Sequence, residues 1–366
     1  MMFQQYQAVG TQQYEKLNEK QKEIVDIVLD TIDNEQTDDN KCRCFFINGP
    51  GGSGKTFVYT TLYYLLQSQR KKVCTMAFTG IAATLLPQGK TVHKTFKLPI
   101  AIYRDSSPTI KVQSKDADYL RSIDVFFWDE APMAPRHALK LVDRNLKDIM
   151  NSNKPFGGKI MILGGDFRQL LPVKQNAIRS ELVNLCIKFS SLWSSFSQFS
   201  LTENMRALPH EKEFSKFLLE VGDGVANLND NDLELPMDCI APPNTNIAED
   251  VYGNIVKNKE FDKLAKMAIL SARNVDVDDI NKSVVELLDA SSEKIYTSVN
   301  TVKDCDNDEI REALLPEYLE TLNPTNLPSH ELRLRVNTVV MLIRNLSINE
   351  GLCNGTRLQI LELQNH

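Results

Sequence analysis

The sequence lacks the features that mark secreted, membrane-spanning or zinc-binding proteins. Its first 15 residues are polar and rich in glutamine, with neither the apolar core of a signal peptide nor the arginines of a transit peptide. No run reaches the roughly 20 apolar residues that a bilayer-spanning helix needs. The cysteines are scattered, and the one close pair, Cys42 and Cys44, has the wrong spacing for a zinc knuckle. We therefore expect an intracellular protein with reduced thiols and no membrane partner.

An excess of basic residues is also missing. The 42 Lys and Arg residues are outnumbered by 48 Asp and Glu, which gives a net charge of −6. This is only a weak argument against nucleic-acid binding, because the sum over a whole chain can hide a local basic groove. The length of 366 residues, with 42% hydrophobic and 25% charged residues, predicts two or three ordinary globular domains.

The sequence does contain short apolar segments that alternate with helical patterns. Strands are predicted at 44–47, 73–78, 123–128, 159–163 and 199–201, and helices at 17–32, 55–69 and 138–150. This alternation is typical of an α/β fold with a parallel sheet. Further strand signals occur at 268–271, 294–298, 336–344 and 356–363. We predict a flexible N-terminus at 1–16, a first domain at 17–200, a second α/β domain at 201–330 and a small β-rich piece at 331–366.

The strongest functional signal is the segment 49–56, GPGGSGKT, which lies between a predicted strand and a predicted helix. Its glycines let backbone amide groups turn inward around phosphates, Lys55 reaches the β- and γ-phosphates, and the Thr56 hydroxyl binds Mg²⁺. The residues expected to hold a nucleotide here are Gly49, Gly51, Gly52, Ser53, Gly54, Lys55 and Thr56.

A second signal lies at the end of the predicted strand 123–128, where the apolar run ends in Asp129 and Glu130. Asp129 would hold the Mg²⁺ shell and Glu130 would polarise the attacking water. A strand that simply meets solvent produces the same pattern, so the interpretation depends on the phosphate-binding segment before it. A base beside the Mg²⁺-binding aspartate favours hydrolysis over phosphate transfer to another substrate.

Two later segments supply candidate sensors of the γ-phosphate. Gln169 follows a strand and a glycine turn, and its amide could hydrogen-bond the γ-phosphate and the attacking water. Arg206 follows the fifth predicted strand and could reach the same phosphate across a cleft. Each residue has a plainer interpretation, as an exposed glutamine on a turn and as a surface arginine.

The segments 79–83 and 91–96 are candidates for contact with a nucleic acid. Small residues such as Gly80 let a sugar–phosphate chain approach, and Thr79 and Lys94 can contact phosphates. His93 and Phe96 can stack on bases. The alternative for this last pair is a buried histidine and a core phenylalanine.

Taken in order, these segments resemble the Pif-type helicases of superfamily one, which are relatives of RecD. The resemblance covers about residues 15–366. It rests on Gln21 and on the segments 49–56, 79–83 with His93, 128–130, 154–158, 165–170 and 201–206. The segments 129–133, 339–346 and 351–357 resemble the branch that eukaryotic Helitron transposons encode.

The resemblance implies a 5′-to-3′ DNA helicase that uses ATP and Mg²⁺. Its fold would be that of a P-loop NTPase, with two RecA-like parallel-sheet domains and the start of an SH3-like insert. The implied partners are single-stranded and forked DNA, bound by a monomer in the nucleus, with roles in DNA repair, recombination, telomere maintenance or transposition. Implied residue roles are adenine reading by Gln21, catalysis and coupling by Lys55, Asp129, Glu130, Gln169 and Arg206, and DNA contact by Thr79, Gly80, His93, Phe96, Ser271 and Asn274.

The larger of two departures from the family concerns the end of the sequence, and three alternatives to the helicase interpretation stay open. Family members continue with a lysine-serine-glutamine-glycine stretch and a final helix that this sequence does not contain, so we interpret the chain as C-terminally truncated and expect weak or absent unwinding by it alone. A nucleotide- or DNA-binding remnant without turnover stays open. So does another P-loop enzyme such as a nucleotide kinase, although kinases lack the pair Gln169 and Arg206. An RNA track also stays open, because sugar contacts decide it.

Overall fold

A computed structural model describes residues 2–33, 43–99, 102–170, 172–174, 177–228, 232–271, 273–299, 330–344, 346–347, 350–352 and 354–365. The chain divides into two compact units, Met1–Glu234 and Leu235–His366. This division falls later than the boundary predicted at residue 200. The difference arises because the chain after the last sheet strand returns to the first unit, where the amide of Met205 donates a hydrogen bond to the carbonyl oxygen of Gly52 over 2.9 Å.

The first unit is built on a six-stranded sheet in which every strand pairing is parallel. Its strands are β1 (Cys44–Asn48), β2 (Val73–Ala77), β3 (Lys90–Thr91), β4 (Val125–Asp129), β5 (Ile160–Gly165) and β6 (Phe196–Ser200). Across the sheet they lie in the order β3-β2-β4-β5-β1-β6. The predicted parallel α/β fold is confirmed. Continuous apolar strands without alternation are what a sheet covered on both faces requires.

Helices cover both faces of this sheet and create two apolar cores. The helices of the first unit are α1 (Met2–Glu15), α2 (Glu19–Asp33), α3 (Lys55–Ser68), α4 (Gly80–Thr84), α5 (Val92–Phe96), α6 (Lys115–Ser122), α7 (Arg136–Met150), α8 (Arg179–Leu185) and α9 (Lys212–Asp223). Neighbouring strand residues point to opposite faces. Phe126 and Trp128 therefore enter the core under α6 and α7, whereas Val125 and Phe127 enter the core under α2 and α3.

The N-terminal residues predicted to be flexible form the helix α1 instead. This helix packs on α3, with the rings of Tyr6 and Tyr64 5.9 Å apart. Gly10 permits the close approach, because a Cβ at that position would lie 2.9 Å from Cδ2 of Leu65. The prediction was wrong because the polar composition of the segment hid a contact that depends on one small residue.

The second unit contains two α-helices and two short antiparallel ladders among its described residues. The helices are α10 (Ile247–Lys257) and α11 (Asn274–Glu286); the strands are β7 (Lys294–Thr297), β8 (Glu331–Leu334), β9 (Val339–Met341) and β10 (Arg357–Gln359). β7 pairs with β8 and β9 with β10. The strand predicted at 268–271 does not form, and no parallel pairing occurs in the described part of this unit. A small core surrounds Tyr252, Leu264 and Leu288. In the part of the chain that the structure describes, no helix is long and apolar enough to cross a bilayer.

Candidate active site

A cleft of about 560 Å³ opens in the first unit where β1, β4 and β5 end. This is the edge of a parallel sheet at which open α/β proteins bind ligands. The predicted residues that the cleft brings together are Gly51, Gly52, Ser53, Gly54, Lys55, Thr56, Asp129, Glu130, Gln169 and Arg206. Residues spread over more than 150 positions of the sequence thus share one cavity.

The loop between β1 and α3 has the shape that phosphate binding needs. Gly52 and Gly54 adopt positive φ angles of 84° and 81°, a region that favours glycine. A Cβ on Gly52 would lie 2.7 Å from Oδ1 of Asn204, and one on Gly54 would lie 2.5 Å from Nε2 of Gln21. Because α3 begins directly afterwards, its first amide groups and its dipole favour an anion at this point.

Lys55 lies folded over this loop. Its Nζ donates hydrogen bonds to the carbonyl oxygens of Gly49 (2.5 Å) and Pro50 (3.2 Å). Burial lowers the pKa of Lys55, while the charge of Asp129 opposes that shift. The ammonium group is therefore held over the loop by neutral carbonyl groups, which an anionic phosphate would replace as a stronger partner.

Asp129 and Glu130 form the acidic side of the cleft. Burial raises the pKa of Asp129, while the backbone amide of Glu130 (2.9 Å) and the charge of Lys55 lower it. Burial and the charge of Asp129 raise the pKa of Glu130, and a hydrogen bond from the Thr79 hydroxyl to Oε2 (3.3 Å) lowers it. Glu130 has a left-handed φ of 53°. Such strain in a non-glycine residue clusters at functional sites.

The donor set fits a magnesium ion. Thr56 and Asp129 line the same cleft and offer one hydroxyl and one carboxylate. Among the described ranges no group of three or more His, Cys, Asp or Glu side chains is arranged to hold a metal. Mg²⁺ in nucleotide sites is usually held by one or two protein ligands together with phosphates and water, so the set needs no larger cluster.

Gln169 and Arg206 both lie beside the phosphate-binding loop. A Cβ atom added to Gly51 would lie 3.9 Å from Nε2 of Gln169. A Cβ atom added to Gly52 would lie 3.0 Å from Cβ of Arg206. The Oδ1 of Asn204 accepts from the backbone amides of Arg206 (2.9 Å) and of the following residue (3.1 Å). Arg206 therefore lies against the loop within the first unit.

Gln21 is buried and is engaged by the protein through both ends of its amide. Its Oε1 accepts from the amide of Asn18 (3.1 Å), and its Nε2 donates to the carbonyl oxygen of Ser53 (3.1 Å). Gln21 thus ties α2 to the phosphate-binding loop. Adenine reading stays a prediction.

The predicted DNA contacts of the first unit fall into two groups. Thr79 caps α4 by accepting from the amide of Ala82 (3.3 Å), and Gly80 begins that helix. His93 is half-buried with its ring 5.3 Å from Phe78, and burial lowers its pKa. Phe96 is fully buried in the core. The prediction that Phe96 stacks on bases is therefore wrong, and the alternative of a core phenylalanine is correct.

The predicted DNA contacts of the second unit, Ser271 and Asn274, lie at the start of α11. The Ser271 hydroxyl donates to Oδ2 of Asp276 over 3.0 Å. Arg273 donates to both oxygens of the same carboxylate, which lowers the pKa of Asp276. Asn274 begins α11, and its side chain lies outside the described residues.

Sequence reasoning missed three residues that shape the site. Asn18 caps α2 and donates to Oε2 of Glu203 over 2.9 Å; its spacing from Gln21 is a capping-box pattern that could have revealed it. Asn204 gave no separate signal. Asp166 is buried, lines the cleft and accepts from Arg168 (3.2 Å), which also donates to Asp223 of α9 (2.7 Å).

Comparison with known proteins gives consistent matches. Residues 16–232 match the family PIF1-like helicase, and residues 317–363 match the 2B domain of DNA helicase Pif1. The ATP-dependent DNA helicase Pif1 of Psychrobacter sp. is 28% identical over 313 residues, which covers 85% of this chain and 43% of that protein. This chain thus spans less than half the length of that relative.

Two solved structures show the same fold. Bacteroides Pif1 in complex with ADP-AlF3 and single-stranded DNA has a TM-score of 0.59 at 22% identity, covering 95% of this chain and 70% of that one. A structure of two coordinating Pif1 helicases that unwind forked double-stranded DNA has a TM-score of 0.60 at 22% identity, covering 95% and 72%. At these identities the likeness establishes the fold.

Proposed function

Because the chain belongs to the PIF1-like helicase family, we propose that its first unit hydrolyses ATP and that hydrolysis drives 5′-to-3′ movement along single-stranded DNA and unwinding of duplex. The observation that carries this proposal is the convergence of Lys55, Asp129, Glu130, Gln169 and Arg206 in one cleft. A site that only stored nucleotide would need the phosphate-binding loop but not the acidic and sensor residues.

Each of these side chains has a role that its position supports. Lys55 leaves its carbonyl partners to bind the β- and γ-phosphates. Thr56 and Asp129 hold Mg²⁺, which when bound neutralises phosphate charge. Glu130 accepts a hydrogen bond from the attacking water and orients it. Gln169 and Arg206, which lie over Gly51 and Gly52, contact the γ-phosphate and stabilise the charge that develops on it.

The wider setting of the activity is also part of the proposal. The Bacteroides relative was captured with a nucleotide analogue and single-stranded DNA together, and another solved structure concerns forked DNA. We propose single-stranded and forked DNA as partners of this chain, with Thr79, Gly80 and His93 in the first unit, and Ser271 and Asn274 in the second, as contact residues. Membership of the Helitron-encoded branch, action as a monomer and work in the nucleus belong to the same proposal.

The deciding experiment is ATP hydrolysis by the purified chain with and without single-stranded DNA. We expect DNA-stimulated turnover in the wild type and a loss of about 10²- to 10³-fold in Lys55→Ala, the size seen when one stabilising donor is removed. Lys111→Ala, which removes an exposed lysine that does not line the cleft, serves as the matched control. Nucleotide binding without DNA-stimulated turnover would contradict the proposal. Duplexes with a single 5′ or 3′ tail then test the polarity of unwinding.

A further inference from the structure

One hydroxyl group joins helix α4 to the proposed base. Oγ1 of Thr79 accepts from the amide of Ala82 (3.3 Å) and donates to Oε2 of Glu130 (3.3 Å). The described residues provide no second hydrogen-bond donor to that carboxylate. A hydroxyl has a single hydrogen, so it can donate to one acceptor at a time. If the Thr79 hydroxyl donates to a different acceptor, the Glu130 carboxylate loses this hydrogen bond.

The strand order gives this hydrogen bond a direction. Thr79 follows β2, Glu130 follows β4, and the phosphate-binding loop follows β1. In the sheet β4 has β2 on one side and β5 on the other, with β1 beyond β5. The bond therefore draws the Glu130 carboxylate toward the β2 side, which is the side opposite the phosphate-binding loop.

Helix α4 lines the nucleotide cleft and also has an exposed side chain outside it. Ala82 and Leu85 line the nucleotide cleft. Ile81 of the same helix does not line the cleft and has 52% of its surface accessible. A molecule that contacts α4 at Ile81 can thus move the cap residue Thr79 without entering the cleft.

We propose that Thr79 is a positioning residue that holds Glu130 away from the attacking water until single-stranded DNA contacts the α4 segment. This inference rests on the proposed function. In the absence of DNA, the Thr79 hydroxyl donates its hydrogen bond to the Glu130 carboxylate, and ATP hydrolysis is slow because Glu130 does not orient the attacking water. When DNA contacts α4, the hydroxyl donates to another acceptor, and Glu130 turns toward the phosphate-binding loop. No covalent bond changes; one hydrogen bond is exchanged.

The test compares Thr79→Val, which removes the hydroxyl but keeps the shape, with Thr79→Ser, which restores it. Ser114→Ala is the matched control, because Ser114 caps α6 in the same way (Ala117 amide, 3.2 Å), lies outside the segments proposed to contact DNA and has no hydrogen bond to Glu130. We expect Thr79→Val to raise DNA-free kcat about fivefold, the factor that one ordinary hydrogen bond accounts for. We expect kcat at saturating DNA and KM for ATP to stay unchanged. The stimulation ratio, which is kcat with saturating DNA divided by kcat without DNA, therefore falls by the same factor. Thr79→Ser and Ser114→Ala keep the wild-type ratio.

A second measurement needs no turnover. The midpoint of thermal unfolding without nucleotide is compared for Thr79→Val, Glu130→Ala and the double variant. If the hydrogen bond exists in solution, the loss caused by Thr79→Val is smaller in the Glu130→Ala background than in the wild type. Strictly additive losses would overturn the inference.

The outcomes separate the two proposals. A wild type whose hydrolysis DNA does not stimulate overturns the proposed function and this inference with it. A stimulated wild type with an unchanged ratio in Thr79→Val overturns this inference alone. It is also overturned if Thr79→Val lowers kcat with and without DNA, because the hydroxyl would then hold Glu130 in its productive position.

Discussion

Nε2 of Gln21 donates a hydrogen bond to the carbonyl oxygen of Ser53, so a buried side chain of α2 holds the phosphate-binding loop in place. The same side chain accepts from the amide of Asn18, which in turn binds Glu203 in the segment after β6. Three chain segments that are distant in sequence are therefore joined beside the nucleotide cleft.

We predict that Gln21→Ala weakens nucleotide binding without regard to the base. Removing the Gln21 amide leaves the buried carbonyl of Ser53 and the part-buried amide of Asn18 without this partner, at about 1–3 kcal/mol. Binding of fluorescent ADP and GDP analogues should weaken equally if Gln21 supports the loop. Glu23→Ala, an exposed change on the same helix, should leave both affinities intact. A selective loss of ADP binding would instead support adenine reading.

Asn204→Ala should lower kcat for ATP hydrolysis more than it raises KM. The Asn204 side chain accepts two backbone amides and thereby fixes Arg206 beside Gly52. Two hydrogen bonds of about 1 kcal/mol each correspond to roughly a tenfold or larger change in rate. Steady-state kinetics with saturating DNA measures the effect. Glu203→Ala, which removes the neighbouring side chain that binds Asn18, is the control; an equal fall in its kcat would contradict a specific role for Asn204.

The packing of α1 on α3 should be sensitive to residue size at Gly10. Gly10→Val forces a branched side chain against Leu65, and overpacking of this kind costs about 1–3 kcal/mol. Chemical denaturation gives the free energy of unfolding. Ala8→Val introduces the same residue at an exposed position of the same helix and should be nearly neutral. A stable Gly10→Val protein would show that α1 does not pack as described.

His93 should contribute to DNA binding without contributing charge. Burial lowers its pKa, so the ring is neutral near pH 7. We expect His93→Ala to weaken single-stranded DNA binding while the slope of log K against log salt stays the same. Lys94→Ala, at the neighbouring exposed position, should reduce that slope by about 0.7 if it meets one phosphate. Fluorescence anisotropy over a salt series measures both slopes.

The lowered pKa of His93 also makes the stability of the folded protein depend on pH. Because the unfolded chain binds a proton at His93 more readily than the folded one, the contribution of this residue is fully present above the unfolded value of about 6.5 and is lost as pH falls through the lower folded value. The wild type should therefore lose more stability than His93→Ala when the pH is lowered below about 6. Equal losses of stability in the two proteins would show that burial does not lower the pKa of the His93 ring.

The parts of the site that depend on local sequence could be predicted, and the parts that depend on contacts between segments could not. The loop 49–56 and the pair Asp129 and Glu130 carry their chemistry in adjacent residues, and residues 51–56 of the loop line the cleft together with that pair. Phe96 was misplaced because an aromatic residue on a short helix suits a core as well as a base. The cap that Asn204 forms on Arg206 depends on a turn geometry that composition does not reveal.

The domain layout shows the same limit. The strand pattern up to residue 200 correctly predicted a parallel sheet, because buried strands have a strong apolar signature. The segment after β6 is polar and was assigned to the second domain. In the structure, hydrogen bonds from Met205 to Gly52 and from Arg168 to Asp223 attach it to the first unit. Polar contacts of this kind leave no periodic trace in a sequence.

The chain has two tryptophans, and both belong to the first unit: Trp128 lies within the core under α7, and Trp193 packs against that core. The intrinsic emission of tryptophan is therefore an optical label for the nucleotide-binding unit alone, already built into the natural protein. Circular dichroism, which senses the helices of both units, would report on the whole. If the two signals change at different denaturant concentrations, the units unfold as separate cooperative blocks, and a single free energy of unfolding cannot describe the chain.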